Sequence, residues 1–438
     1  MKLIFKLLFL CLQFGIFEIT VSQELLVPAS FVQIESAGSN LKAQIAEARR
    51  RFQLQSKGDR FWVGFALTIR DGIEFDDLYI HDGGGITISR GGKGGIFIDD
   101  EDRFDFGEEA ESAAEKRQII SHFGDQLAVF YQFEVNNLQL KKIKAYNSYR
   151  KRGFRNESGF WLTEVSNDDS FNYLTDIVND QIYNKKIIEP SLCLLSLHDH
   201  PQVVPLLARI AGGEQHLEIR KSAAFWLGQV PLEESFAALV QLFDKEEKFE
   251  LKEHLVFAIS QHRSENVIRQ LEKIARGNED FDIREKAIFW LGQTNREDAL
   301  DILVNLMKTG SSSELKEKIV FSISQHKSER AVTLLIEVAD AERDRDVRKQ
   351  AIFWLGQIAS KKTLHALGDI VESTEDTEAK EQAVFAISQH ADKDEAFDML
   401  MDIAKHNPNP EVRKKAIFWL SQTDDERAVD FFKEILTN

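Results

Sequence analysis

In the last two-thirds of the chain, apolar positions recur with a helical period inside a longer, regular period. Four apolar side chains, at positions i, i+4, i+7 and i+8, predict one face of an amphipathic helix. These are Val347, Ala351, Trp354 and Leu355. A second apolar stripe, between Ser328 and Ala339, precedes them and predicts another helix with Ser328 as its N-cap. The pattern therefore predicts helices in pairs, joined by polar turns such as residues 340–346.

The same two-helix unit is repeated along the chain in two alternating types. One type reads EIRKSAAFWLGQ, DIREKAIFWLGQ, DVRKQAIFWLGQ and EVRKKAIFWLSQ, from Glu218, Asp282, Asp346 and Glu411. The other reads ELKEHLVFAISQH, ELKEKIVFSISQH and EAKEQAVFAISQH, from Glu250, Glu314 and Glu378. Successive starts are 32 residues apart, with one extra residue before the last, and a degenerate copy ends at His198. One pair cannot bury its own apolar faces, so about eight such units are expected to stack over residues 166–438.

The motif V-R-x-x-A-x-x-W-L-G-Q resembles HEAT repeats, in particular the short HEAT-like repeats named after phycobilisome lyases. The resemblance covers about residues 170–438. It implies a mainly α fold, a right-handed α-α superhelix whose second helices line the concave side. It does not imply one function, because this repeat occurs in scaffolds, adaptors and a few enzymes.

Each full unit carries a phenylalanine about 145° from the centre of its apolar stripe, where such repeats usually have a polar residue. These residues are Phe225, Phe257, Phe289, Phe321, Phe353, Phe385 and Phe418. They either pack sideways onto neighbouring second helices or form an apolar ridge that binds a partner, and the two roles are compatible.

A glutamine follows each phenylalanine by four residues, which places it on the same helix face. These residues are Gln229, Gln261, Gln293, Gln325, Gln357, Gln389 and Gln422. Their amides either cap carbonyls and bridge units or, as in armadillo-type solenoids, hold an extended peptide backbone. The two sets together are called the Phe–Gln strip below, and we predict that it is the partner-binding surface.

Three further rows of residues have structural interpretations. Trp226, Trp290, Trp354 and Trp419 alternate with the small residues Ala258, Ser322 and Ala386, which predicts interlocking core packing. The basic residues Arg220, Arg284, Arg348 and Arg413, matched by Lys252, Lys316 and Lys380, resemble the basic row of HEAT repeats that pairs with acidic turns. Histidines at helix ends, such as His262 and His326, lie about 20 Å apart if layers are about 10 Å apart, too far to share one metal.

Composition and the first residues narrow the class of protein. A net charge of −17 disfavours nucleic acid as a partner, because such binding depends on basic groups. Lys2 and Lys6 precede an apolar run, so residues 1–22 are predicted to be a secretory signal peptide and the chain to be exported, periplasmic or extracellular. The run is too short to span a bilayer, although an uncleaved anchor is the alternative. No later stretch could cross a membrane.

Residues 23–165 do not share the repeat and are predicted to form a smaller α+β or β-rich domain. Strands are predicted at residues 60–69, 85–89, 95–98 and 127–135, and helices at residues 41–52 and 108–123. The glycine-rich residues 81–95 lack a phosphate-binding motif and are interpreted as tight turns. The acidic residues 99–109 lack EF-hand spacing, and nothing brings His81, Asp82 and His122 together.

These observations favour a non-catalytic scaffold or adaptor that binds a protein or peptide along the solenoid, with no metal and no cofactor. The iron-binding solenoid that resembles these repeats, deoxyhypusine hydroxylase, carries His-Glu pairs, and no histidine here is followed by glutamate. The main alternative is an enzyme or ligand-binding protein whose site lies in residues 23–165. A purely structural envelope component is a third interpretation.

Overall fold

The structure is a computed structural model of the whole chain. It describes residues 27–28, 30–35, 40–55, 58–71, 73, 77–80, 86–90, 93–97, 126–147 and 159–437, except 278, 310–311, 359, 391 and 424. The predicted signal peptide, the predicted helix at 108–123, His81, Asp82, His122 and the acidic stretch from 99 to 109 all lie outside the described residues. Two compact units divide the chain, Met1–Ser264 and Glu265–Asn438. They are called the N-terminal and C-terminal units below.

The N-terminal unit begins with an eight-stranded sheet. Its strands are β1 (Phe31–Ile34), β2 (Arg60–Thr68), β3 (Asp77–Ile80), β4 (Ile86–Arg90), β5 (Lys93–Phe97), β6 (Gln126–Glu134), β7 (Leu140–Asn147) and β8 (Gly159–Leu162). Their spatial order is β1-β8-β2-β6-β7-β3-β4-β5, with β8 parallel to both β1 and β2 and the other pairs antiparallel. The strands predicted at 60–69, 85–89, 95–98 and 127–135 correspond to β2, β4, β5 and β6.

The two central strands are buried on both faces. Phe61, Phe65 and Tyr131 lie on one face, which helix α1 (Leu41–Gln55) covers through a stacked contact of Phe52 with Phe61 at 5.6 Å between ring centroids. The other face holds an aromatic cluster, namely Phe31, Trp62, Phe130 and Trp161. Successive side chains along a strand point to opposite faces of the sheet, which explains why β2 contributes residues to both faces.

Eight helix pairs and one final helix follow the sheet among the described residues. The first helices of the pairs are α2 (Asn167–Asn179), α4 (Val203–Ala211), α6 (Glu233–Lys245), α8 (Val267–Arg276), α10 (Glu297–Lys308), α12 (Glu329–Ala341), α14 (Lys361–Ser373) and α16 (Lys393–His406). The second helices are α3 (Lys185–Leu197), α5 (Leu217–Gln229), α7 (Phe249–Gln261), α9 (Phe281–Gln293), α11 (Ser313–Ser324), α13 (Arg345–Gln357), α15 (Thr377–Gln389) and α17 (Pro410–Ser421). Helix α18 (Arg427–Thr437) ends the array.

Local sequence explains where these helices begin. The Ser328 hydroxyl accepts a hydrogen bond from the Ala331 N–H at the start of α12, as the N-cap prediction requires. Asp376 does the same for the Glu378 and Ala379 N–H groups at the start of α15.

The protein is mainly helical, with a β-sheet region before the repeats. This arrangement confirms the predicted fold class.

Within the N-terminal unit, the sheet packs directly on the first helix pair. Arg70 extends β2 and donates its N–H to the Leu197 carbonyl at 2.8 Å, while its guanidinium donates to the His198 carbonyl at 2.9 Å. Tyr131 of β6 stacks on Tyr173 of α2 at 5.7 Å. Sheet and first repeats share one core, so the change in sequence pattern near residue 166 does not separate two independent cores in this unit.

Candidate functional site

The Phe–Gln strip lies on the second helices of both units, and each unit is described by itself. Successive second helices stack side by side, α3, α5 and α7 in the N-terminal unit and α9, α11, α13, α15 and α17 in the C-terminal unit. Positions that repeat once per helix therefore form rows across the stack. Helices α5, α9, α13 and α17, which contain tryptophan, are called Trp-type below, and α7, α11 and α15 are called small-type.

The phenylalanine side chains range from buried to exposed. Phe225 in α5 is 7% exposed, whereas Phe418 in α17 is 50% exposed. The other five, Phe257, Phe289, Phe321, Phe353 and Phe385, are half-buried. A half-buried row of rings leaves apolar surface in contact with water, which the internal core does not require.

Neighbouring rings contact one another along each stack. Phe225 stacks on Phe257 with centroids 6.0 Å apart and an interplanar angle of 17°. Phe289 stacks on Phe321 in the same way, at 6.2 Å and 14°. The sideways packing on neighbouring second helices is therefore observed for these two pairs, and a partner-binding ridge stays a prediction.

Tryptophans fill the intervals between one small-type helix and the next Trp-type helix. The rings of Phe321 and Trp354 lie 5.1 Å apart, and those of Phe385 and Trp419 also lie 5.1 Å apart. The predicted core role is confirmed for Trp226, which is 1% exposed. It is wrong in part for Trp290, Trp354 and Trp419, which are half-buried because their rings also form the side of the phenylalanine row.

Each small residue of a small-type helix lies against a glycine of the preceding Trp-type helix. A Cβ at Gly292 would lie 2.4 Å from the Ser322 carbonyl oxygen, and a Cβ at Gly356 would lie 2.8 Å from the Ala386 carbonyl oxygen. Only glycine allows two backbones to approach so closely. In the C-terminal unit, intervals with a backbone contact at glycine therefore alternate with intervals where a tryptophan contacts a phenylalanine.

The glutamines do not have the capping role considered from the sequence. Where a serine precedes the glutamine, the amide donates to that serine hydroxyl, as Gln325 does to Ser324 at 3.2 Å. The serine in turn donates to the Phe321 carbonyl at 2.6 Å, so the hydroxyl, not the amide, satisfies the helix end. None of the seven amides bonds to a helix-end carbonyl within the described chain. Gln293, Gln357, Gln389 and Gln422 are exposed.

The helix-end histidines are buried and join the two helices of a pair. His262 caps α7, accepts the Ser264 N–H at its Nδ1 at 2.9 Å, and has its Nε2 2.9 Å from the Ser235 hydroxyl of α6. Burial lowers the pKa of His262 below its ordinary value. His390 repeats this arrangement with Thr363 in the C-terminal unit. Within the described residues no three His, Cys, Asp or Glu side chains form a possible metal site.

The basic row connects successive turns. Arg348 donates to its own turn at the Glu342 carbonyl, 3.0 Å away, and forms an ion pair with Asp376 in the turn of the next pair. Lys316 pairs with Glu342 in the same way at 3.3 Å. These contacts hold the second helices in register, and the Phe–Gln strip is therefore built on a fixed support.

Comparison with known proteins agrees with this architecture. Residues 268–356 and 364–438 match the family model of HEAT repeats. A search of curated proteins finds no match. Among the helices that the structure describes, none has an apolar stretch of the length that a bilayer demands.

Several solved structures share the repeat. Human deoxyhypusine hydroxylase in complex with glycerol is 15% identical, with a TM-score of 0.27 over 61% of this chain and 97% of that chain. The CpcE–CpcF complex of phycocyanin lyase from a Nostoc species is 14% identical, with a TM-score of 0.27 over 61% and 98%. Kap95p, in a structure with RanGDP, is 12% identical, with a TM-score of 0.35 over 58% and 39%. At these identities and TM-scores the likeness carries no conclusion about function. The family match and the repeated helix pairs show that residues 268–356 and 364–438 of this chain are HEAT repeats.

Proposed function

We propose that this chain is an exported, non-catalytic scaffold that binds a protein or peptide partner along the Phe–Gln strip. One observation carries the proposal: stacked, half-buried phenylalanines recur on second helix after second helix, on a face that the fold does not cover. Aromatic residues on a rigid support supply large contact areas at a low entropic cost.

The surroundings of the rings suit recognition of a polypeptide. Exposed amides such as Gln293 and Gln357 lie one helical turn from Phe289 and Phe353, and each amide offers both donors and an acceptor. A peptide backbone presents the complementary groups at regular intervals. Apolar contact from the rings and hydrogen bonds from the amides would therefore act on the same segment.

Export rests on the first residues of the chain. Two lysines followed by an apolar run have the layout of a secretory signal peptide. A partner is accordingly expected outside the cytoplasm, in the envelope or in the medium. The acidic net charge of −17 agrees with a protein partner and disfavours nucleic acid.

Affinity capture from a native envelope extract tests the proposal. The baits are the mature chain, a ring variant (Phe289→Ala, Phe321→Ala and Phe353→Ala) and an amide variant (Gln293→Ala, Gln357→Ala and Gln389→Ala). The control variant changes two exposed apolar residues outside the strip, Leu54→Ala and Ile182→Ala. Thermal melting of each bait separates lost binding from lost folding.

A specific partner should be retained by the wild type and the control and lost with both strip variants. The amide variant should melt within about 2 °C of the wild type, because exposed substitutions change stability by at most about 0.5 kcal/mol. Capture that is equal for wild type and amide variant, with a ring variant that melts several degrees lower, would assign the strip to packing and contradict the proposal.

A further inference from the structure

In the C-terminal unit, each second helix carries an exposed carboxylate in line with its phenylalanine and its glutamine. These acidic residues are Asp282, Glu314, Asp346, Glu378 and Glu411. In every case the phenylalanine follows by seven residues and the glutamine by eleven, each within about 20° of the carboxylate around the helix and about 40° from one another. Three parallel rows therefore cross the stack: carboxylates, rings and amides. The rows are about 10 Å and about 6 Å apart along each helix.

Part of this carboxylate row is not neutralised by the chain itself. Lys349 pairs with Glu378 and also with Asp346 at 4.0 Å, and Lys414 pairs with Glu411 at 2.8 Å. Asp282 and Glu314 form no ion pair within the described residues. One turn from Glu314, burial and the carboxylates of Asp346, Asp344 and Glu314 raise the pKa of Glu317, and the nearby Lys318 offsets only part of this effect.

An acidic residue in the first turn also interacts favourably with its own helix dipole. That role is independent of what lies further along the helix, since it needs only a position near the N-terminus. It does not account for the alignment of each carboxylate with a phenylalanine and a glutamine. The two roles are separable by experiment, because first-turn stabilisation affects melting and not binding.

The spacing of the rows indicates which backbone conformation fits. Packed helices are about 8–10 Å apart, and polyproline II advances about 3.1 Å per residue with three residues per turn, or about 9 Å per turn. Every third side chain of such a segment therefore returns to the same row, one helix further along. A β-strand, which alternates its side chains every second residue, does not match this interval.

Building on the proposed function, we infer that the strip in the C-terminal unit holds an extended segment in polyproline II conformation with a basic side chain at every third residue. The basic groups meet the carboxylate row, and apolar side chains at another position of the triplet meet the rings. A polyproline II backbone makes no internal hydrogen bonds, so its carbonyls are free for the exposed amides of Gln293 and Gln357.

Fluorescence anisotropy with three labelled peptides tests the inference on the mature full chain. The first peptide has five Pro-Leu-Lys repeats, the second has five Pro-Leu-Glu repeats, and the third has the composition of the first in scrambled order. The row variant carries Asp282→Asn, Glu314→Gln and Asp346→Asn. The matched control removes the same charge from exposed first-helix positions: Glu337→Gln, Asp340→Asn and Asp369→Asn.

The wild type should bind the Pro-Leu-Lys peptide at least tenfold more tightly than either other peptide, and more weakly as salt is raised. The row variant should lose at least fivefold in affinity, and the matched control should bind as the wild type does. Equal binding of the ordered and scrambled basic peptides, equal losses in both variants, or no binding would overturn the inference. If capture of a partner still depends on the Phe–Gln strip in that case, the scaffold function stands and only the partner class is wrong.

Discussion

The sheet and the second helices use aromatic side chains in opposite ways. In the sheet, Phe65 and Tyr131 are fully buried and contact one another at 5.4 Å between ring centroids. On the second helices, Phe353 contacts Trp354 at 5.1 Å but stays half-buried, and Phe418 is half exposed. Aromatic rings in the sheet therefore contribute to the free energy of folding over their whole surface. Those in the strip leave part of that surface in contact with solvent.

The largest expected effect is on the sheet side of this comparison. Phe65→Ala removes a ring that is 0% exposed and leaves a cavity between β2 and the helices, so the free energy of unfolding should fall by about 3–5 kcal/mol. Urea denaturation of the mature protein measures this loss. A loss below about 1 kcal/mol would show that the sheet core is loosely packed. It would also remove the contrast between the sheet and the Phe–Gln strip.

A pH-dependent effect of similar size is expected where the sheet meets the first helix pair. Burial lowers the pKa of His198 from its ordinary 6.5 to about 4. Between these two pH values the unfolded chain binds a proton that the folded chain does not. The free energy of unfolding therefore falls as the pH falls through this window, by about 3 kcal/mol at pH 4.

Comparison with His198→Gln isolates this contribution from that of the carboxylates. Urea midpoints of both proteins at pH 7, 5.5 and 4 should converge as the pH falls, because only the wild type carries the protonation cost. Midpoints that remain a constant distance apart would mean that His198 titrates normally.

An intermediate effect is expected where backbones approach between second helices. The Cβ added by Gly292→Ala would meet the Ser322 carbonyl oxygen at 2.4 Å, so the helices must separate, at a cost of about 1–3 kcal/mol. Gly368→Ala is the matched control, because its Cβ would meet only the flexible end of Met399 at 3.2 Å. The control should be neutral or slightly stabilising, since alanine favours helix. Equal losses in both variants would reject the close-contact explanation.

The smallest effect on stability is expected in the strip itself. Phe353→Ala removes a half-buried ring and one aromatic contact, so the free energy of unfolding should fall by only about 1 kcal/mol. The same urea denaturation measures it beside Phe65→Ala. A loss as large as that of Phe65→Ala would make the strip part of the core.

Much of this architecture follows from the sequence, because repetition amplifies weak signals. One amphipathic stripe near Val347 is ambiguous, but seven copies of it at a fixed interval determine the helix pairs. The strands β2 and β6 were predictable from their apolar pattern, whereas β1, β3, β7 and β8 were not predicted. β1 and β8 are four residues long, and their place depends on pairing with residues distant in sequence.

The site was harder to predict than the fold. Helical periodicity placed the phenylalanines and glutamines on one face, but it could not show that Phe289 stacks on Phe321 or that Ser324 satisfies the helix end. The half-buried state of Trp354 depends on its contact with Phe321 of the preceding second helix, and the close approach at Gly356 depends on Ala386 of the next one. Such contacts are tertiary properties that no single repeat encodes.

Site-specific photo-crosslinking in intact cells tests the central claim most directly. A benzophenone amino acid replaces Phe353 in one variant and Glu337, an exposed first-helix residue, in another. The account predicts a discrete cross-linked protein adduct from position 353 and none from position 337. Adducts of equal yield from both positions, or none from position 353 in a protein that folds and is exported, would contradict it.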